Sequence, residues 1–240
     1  LSVVQLLPNA LTLAALCAGL TAIRLAFGGE FDRAAGLILL AALLDGLDGR
    51  LARRLRSESA MGAELDSLCD FVNFGVAPAL VLHLWAFDGA AGLGWIAALV
   101  YAVACVLRLA RFNIGSRDQL ASGLPKTTFM GVPSPAGAML AFLPIFVANL
   151  MPGLAVPGPA CAIWMILVAA LMVSRLPTPA LRLASIRREQ AGLILLAVVG
   201  LGAALLTYPW LTLVLLDIGY LLLLALGWKQ RWSQPSRKDA

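Results

Sequence analysis

The sequence predicts an all-α fold, a polytopic integral membrane helical bundle with about eight transmembrane helices. Three observations carry that prediction. Of 240 residues, 61% are hydrophobic and only 13% charged, with a mean hydropathy of +0.89. Soluble domains run at roughly 45–50% apolar and about 25% charged, so this chain lacks the polar residues to cover a water-facing surface. The apolar runs are continuous rather than alternating and reach the roughly 18–20 residues a spanning helix needs, which argues against a β-barrel. Positive charge, finally, falls almost wholly on alternate connections.

The elements follow in order. Apolar segments lie near residues 10–27, 34–50, 66–86, 92–110, 130–150, 157–175, 190–206 and 209–228. The first ends at Gly28-Gly29-Glu30, the third at Phe87-Asp88-Gly89 and the fifth at Pro152-Gly153, all strong chain breakers. Tyr208-Pro209 divides the last two spans, which therefore form a tight helical hairpin. With eight spans, both termini share a side with the second, fourth and sixth connections. That side holds 16 of the 18 Lys and Arg residues and leaves only Arg24 and Arg33 opposite. The positive-inside rule then puts both termini and the three basic connections in the cytoplasm, as in a bacterial-type inner membrane.

The net charge of +5 raises the question of nucleic acid. The basic residues are spread over juxtamembrane connections and are not interleaved with aromatics on a soluble module. Anionic lipid headgroups account for them, and nucleic acid is rejected. Cys17, Cys69, Cys105 and Cys161 fall inside apolar runs without metal-like spacing, so they read as small buried hydrophobes. The sequence begins at Leu1, and no cleavable signal peptide is expected in it.

Chemistry is expected where carboxylates enter the membrane, since a charged side chain at a helix centre costs about 2.5–3.5 kcal/mol. Four of the 13 acidic residues cluster: Asp45 and Asp48 at the end of the second span, Asp66 and Asp70 at the start of the third. Spacings of three and four put each pair on one helical face, and the basic connection folds the two faces together. Four like charges repel unless cations neutralise them. Hard oxygen ligands favour Mg²⁺ or Mn²⁺, and a pair of divalent ions suits phosphoryl transfer. The plainer alternative is that these acids form interfacial ion pairs with Arg50, Arg53, Arg54 and Arg56.

From Asp45 to Asp70 the sequence reads DGLDGRLARRLRSESAMGAELDSLCD. It fits D-x2-D-G-x2-A-R-x8-G-x3-D-x3-D at Asp45, Asp48, Gly49, Ala52, Arg53, Gly62, Asp66 and Asp70. Eight fixed residues over 26 positions rarely coincide by chance, and the stretch resembles the CDP-alcohol phosphatidyltransferase family. The small residues at 49 and 52 leave room for a diphosphate to approach the helix, and Arg53 offers a two-pronged donor set for phosphate. Gly62 is expected to allow a close turn before the third span. The resemblance implies that Asp45, Asp48, Asp66 and Asp70 ligate metal, with Asp70 also the general base. It implies that Gly49, Ala52, Arg53, Ser59 and Gly62 meet CDP-diacylglycerol, with Asn9 and Thr12 of the segment Pro8-Asn9-Ala10-Leu11-Thr12 facing the same pocket. It further implies a six-helix core over residues 1–176, two additional spans over 177–228 and a basic tail over 229–240. A homodimer among membrane lipids is expected on the same ground.

The motif does not choose the acceptor alcohol. Leu65-Asp66-Ser67-Leu68 with Phe74-Gly75-Val76-Ala77-Pro78, Arg108-Leu109-Ala110-Arg111-Phe112-Asn113, and Phe129-Met130-Gly131-Val132-Pro133-Ser134-Pro135 resemble the branch of the family that uses L-serine. Serine needs a cation for its carboxylate and an acceptor for its ammonium; Arg111, Lys126, Asn113 and Ser134 can supply such groups. Plain positive-inside charge would equally explain Arg108, Arg111, Arg117 and Lys126, and glycerol 3-phosphate or an inositol phosphate would also want basic residues. The only histidine, His83, lies away from the carboxylates and reads as helix packing. Asp217, a lone acid in an apolar run, reads as a helix contact outside the matched region. A transporter with a carboxylate cation site is the rival of a different class. It is disfavoured because the acids sit at one membrane edge and no internal repeat is visible.

Overall fold

The computed structural model describes residues 3–55, 57, 59–87, 91–122, 129–174, 177–178 and 191–232. Among these residues the chain forms eight helical segments: α1 (Val3–Phe27), α2 (Phe31–Leu55), α3 (Ala60–Ala86), α4 (Ala91–Ser122), α5 (Ser134–Leu150), α6 (Gly158–Val173), α7 (Ala191–Thr207) and α8 (Pro209–Trp232). Each overlies one apolar run of the sequence. Four contain stretches long and apolar enough to cross a membrane: Leu6–Phe27, Ala60–Ala86, Gly92–Gly115 and Pro209–Gly227. Helices α5, α6 and α7 are shorter and apolar, and Asp45 and Asp48 interrupt the apolar run of α2. The protein is a helical membrane protein.

Helices α1 and α2 lie along each other through small residues, with Ala15, Ala18, Ala22, Ala26, Ala34, Ala35 and Ala41 buried. Small side chains let helix backbones approach, which is how helices associate where lipid removes most of the hydrophobic drive. Further in, α4 packs on α6 and α5 on α8, around Tyr101, Phe74, Phe142, Phe146, Met165 and Met172. Leu193, Leu195, Leu196 and Leu206 of α7 face outward, as expected of a lipid-facing surface.

Two local devices shape the end of the bundle that carries the motif. Directly after Asp70, residues Phe71–Val76 form a π-helical turn, with the Ala77 amide bonding the Val72 carbonyl. Pro78 has no amide to offer the Phe74 carbonyl, and Tyr101 Oη donates to that carbonyl instead at 2.9 Å. The turn points the buried Asn73 at Gly19 of α1, where a Cβ would lie 2.1 Å from Asn73 Oδ1. The second device is the entry to α5. Phe129–Met130 pairs antiparallel with Pro177–Thr178, and Gly131 follows with φ of 82°. A Cβ at Gly131 would stand 2.4 Å from the Met172 carbonyl oxygen, so only glycine fits the turn that delivers Ser134 to the start of α5.

The structure corrects the expectation for Gly62. It is not a turn but lies in the first turn of α3, its amide donating to Ser59 Oγ at 3.0 Å. The reversal lies between Leu55 and Ala60, where Ser59 caps the helix. His83 packs at the other end of α3, its ring 5.9 Å from Phe87 and 5.6 Å from Trp95. Asn149 Nδ2 donates to Asp32 Oδ1 at 2.7 Å, which ties α5 to α2 near that end.

Candidate active site

The end of α2 and the first half of α3 bring their acids together as the spacing requires. Carboxylate oxygens of Asp45, Asp48 and Asp66 lie within 4.8 Å of one another. Asp48 is nearly inaccessible at 3% exposure and accepts a 2.5 Å hydrogen bond from Thr12 Oγ1 of α1. Asp45 is in close contact with both Asp66 and Asp70. Acids that ordinarily repel can hold such contacts only with a proton or a cation between them. Among the described residues no ion pair joins Arg50, Arg53 or Arg54 to these aspartates, and all three arginines are exposed. The interfacial ion-pair alternative therefore fails there, and the donor set, hard oxygens from three converging acids, fits a divalent cation.

Asp70 stands apart from that trio. Besides its contact with Asp45, it accepts from Ser134 Oγ of α5 at 3.5 Å. Ser134 is fully buried and itself accepts from Arg108 Nη1 of α4 at 2.6 Å. The Arg108 guanidinium lies 5.8 Å from the centre of the Phe112 ring. A line of polar groups from three helices, Arg108 to Ser134 to Asp70, thus runs to the edge of the aspartate cluster.

The other residues singled out from the sequence fall around this centre. A Cβ at Gly49 would meet no atom within 4 Å, so the helix face beside Asp48 is open, with Ala52 half-buried and Arg53 exposed one turn on. Asn9 reaches the backbone of α3, where a Cβ at Gly62 would lie 3.1 Å from its Oδ1. Thr12 and Ser59 have structural duties as well, the one on Asp48 and the other on the α3 amide. Asn113 exchanges hydrogen bonds with Ser67, the closer at 3.0 Å, and joins α4 to α3. Arg111 is directed to the Val173 carbonyl at the end of α6, at 2.8 Å, and meets no carboxylate among the described residues. Lys126, Arg56, the basic residues 182, 187 and 188, and the tail beyond residue 232 lie outside the described residues.

Sequence reasoning undervalued Arg108, which it grouped with the general positive charge of the fourth connection. The signal was there: Tyr101, Cys105 and Arg108 recur at the spacing of one helical face, and the first two are fully buried. An arginine that continues a buried stripe has a partner inside the protein.

Comparison with known proteins agrees with this geometry. Residues 5–176 match the CDP-alcohol phosphatidyltransferase family. The chain is 38% identical over 231 residues to a CDP-diacylglycerol–serine O-phosphatidyltransferase of Mycobacterium tuberculosis, covering 95% of this chain and 80% of that one. A protein of the same name from Bacillus subtilis is 36% identical over 143 residues, 60% of this chain and 77% of its own. One from Methanocaldococcus jannaschii is 42% identical over 104 residues, 43% and 46% of the two chains. The aspartates that the motif fixes in sequence converge in space, the matched stretch spans the helices that carry them, and the chain belongs to the CDP-alcohol phosphatidyltransferase family.

Proposed function

We propose that this protein transfers the phosphatidyl group of CDP-diacylglycerol to the hydroxyl of L-serine, releasing phosphatidylserine and CMP. The observation that carries the reading is the line Arg108–Ser134–Asp70 beside the Asp45, Asp48 and Asp66 cluster. One end of the site is built for a diphosphate, and the other offers a carboxylate base next to a cation and a hydroxyl. The similarity to proteins named for serine supports that acceptor.

Asp45, Asp48 and Asp66, with Asp70 at their edge, would hold Mg²⁺ or Mn²⁺, two ions in our reading, and bound cations supply charge neutralisation to the diphosphate and the departing CMP. The chain's own residues do the rest. Thr12 fixes the Asp48 carboxylate, and the open face at Gly49 and Ala52 admits the nucleotide diphosphate, with Arg53 at its rim. Asp70 takes the proton from the serine hydroxyl as that oxygen bonds to phosphorus. The phosphorus–oxygen bond to CMP breaks in line, and no fixed position of the motif is a His or Cys that would form a covalent intermediate. Arg108, Ser134 and Asn113 orient the amino acid, and Arg111 and Lys126 attract it from the cytoplasm.

In this reading all eight helices span the inner membrane, with both termini and the site cytoplasmic. The family match ends at residue 176, which supports a core over 1–176 followed by two further spans and a basic tail. The protein works as a homodimer among membrane lipids. The test is a product assay with purified protein, CDP-diacylglycerol and Mg²⁺ or Mn²⁺, offering serine, glycerol 3-phosphate and an inositol phosphate separately. Phosphatidylserine and CMP with serine alone are expected. Turnover with only one of the other alcohols overturns the acceptor and keeps the chemistry.

A further inference from the structure

The last helix lies wholly outside the stretch that matches the family, yet it reaches the site. Helices α5 and α8 run antiparallel and in contact, with the Phe146 and Trp210 rings 6.1 Å apart at one end. Ser134 lies twelve residues before Phe146, and Tyr220 lies ten residues after Trp210. At about 1.5 Å rise per residue, both come to nearly the same depth, roughly 15–18 Å along the pair. Tyr220 is within electrostatic reach of Arg108, the residue that donates to Ser134.

Two polar atoms there lack a hydrogen-bond partner among the described residues. Arg108 Nε and Tyr220 Oη are both shielded from solvent, and neither has a hydrogen-bond partner among the described residues. The Nε–H is a donor at every accessible pH, and the phenol carries a second donor. Burying unpaired donors is unfavourable, and two of them, one on the residue that donates to Ser134 and one at the depth of Ser134 on the helix beside it, suit an anionic oxygen pair better than a neutral group. Arg108 already leads through Ser134 to Asp70, on the acceptor's side of the site, while the aspartate trio occupies the other.

We propose that Tyr220 Oη, together with Arg108 Nε, binds the carboxylate of the acceptor amino acid, so that the last transmembrane helix supplies a specificity residue for the alcohol. This rests on the serine reading above. It makes the carboxylate, and not only the hydroxyl, a requirement for a good acceptor. Serinol, which keeps the hydroxyl and ammonium but has no carboxylate, is the discriminating probe.

The experiment measures CMP release by the full-length protein and by Tyr220→Phe, with CDP-diacylglycerol and a divalent cation, varying serine or serinol. The expected result is a serine KM raised about tenfold, the effect of losing one hydrogen bond to a charged group. The kcat and the KM for CDP-diacylglycerol should stay within about twofold, and the preference for serine over serinol should narrow by a similar tenfold factor. Tyr220→Met fills the same space without a donor and gives the same readout should the phenyl variant fail to fold. An unchanged serine KM overturns the proposal. So does a rise confined to CDP-diacylglycerol, which would assign the donors to a phosphate, and so does an equal loss with serine and serinol, which would mean that Tyr220 only steadies the fold. Absence of phosphatidylserine from the unaltered protein removes the serine reading and this inference with it, whereas normal turnover with an unmoved variant removes only the role of Tyr220.

Discussion

At the scale of single residues, the four aspartates divide by their neighbours rather than by their spacing. Asp45, Asp48 and Asp66 face one another, whereas Asp70 looks toward Ser134. Replacing Asp70 with Asn keeps its shape and removes its capacity to take a proton. A fall in kcat of about 10²–10⁴-fold is expected, the usual range for a general base, with CDP-diacylglycerol still bound. Steady-state turnover and a lipid-binding titration on the same preparation check this; wild-type turnover in Asp70→Asn would end its role as base. Thr12 acts through another residue. Its hydroxyl holds Asp48, which is 3% exposed. Thr12→Val leaves that carboxylate oxygen unsatisfied and free to turn, so the Mg²⁺ or Mn²⁺ concentration for half-maximal activity should rise about 10–100-fold, as when partners of metal ligands are removed. Thr12→Ser restores the hydroxyl and should restore the metal requirement. A loss in Thr12→Val that saturating metal cannot recover would instead mark Thr12 as a substrate contact.

At the scale of elements, the eight helices were legible because continuous apolar runs are separated by glycine and proline clusters, and nothing in the packing overrides so strong a pattern. The convergence of Asp45 and Asp48 with Asp66 was legible too, because it depends only on helical periodicity and one short reversal. The π-helical turn was not. It follows from Pro78 withholding an amide and from Tyr101, a residue of another helix, taking over the Phe74 carbonyl. The line from Arg108 to Ser134 was hidden for the same reason: it depends on how α4 meets α5, which no local spacing encodes. These tertiary devices make the elements sensitive at particular small residues. A methyl at Gly19 would overlap the buried Asn73 side chain within the turn that follows Asp70. Gly19→Ala should therefore destabilise the protein by about 1–3 kcal/mol, as overpacking does, and lower activity by shifting α3 against α1. Thermal denaturation of the detergent-solubilised protein, followed by size-exclusion fluorescence, measures it. Gly36→Ala is the control, because a methyl there would meet no atom within 4 Å. Equal midpoints for the two variants would mean that Asn73 moves aside freely and that the notch plays no part.

At the scale of the whole molecule, the distribution of charge and the position of the site make one claim together. Thr12, the end of α2, the start of α3, Arg108 and Ser134 gather at one end of the helices, where Arg50, Arg53, Arg54 and Arg111 also lie. The contacts of Asn149 with Asp32 and of His83 with Phe87 and Trp95 lie toward the opposite end. Lysine and arginine resist translocation, so the end carrying Arg50, Arg53, Arg54, Arg108 and Arg111 should face the cytoplasm, where CMP and amino acids are available. Introduced cysteines test the orientation directly. Arg54 and Met151 are both exposed, one on each side of the bundle, while Cys69, Cys105 and Cys161 are buried and Cys17 lies within the apolar part of α1. In intact cells a membrane-impermeant maleimide should label Met151→Cys and not Arg54→Cys, and Arg54→Cys should react only once the membrane is opened. The reverse pattern would place the aspartates outside and leave the site without its cytoplasmic substrates. Labelling of both in intact cells would mean that the number of spans between them differs from three, and the assignment of α2 to α5 would then have to change before the orientation of the site could be argued at all.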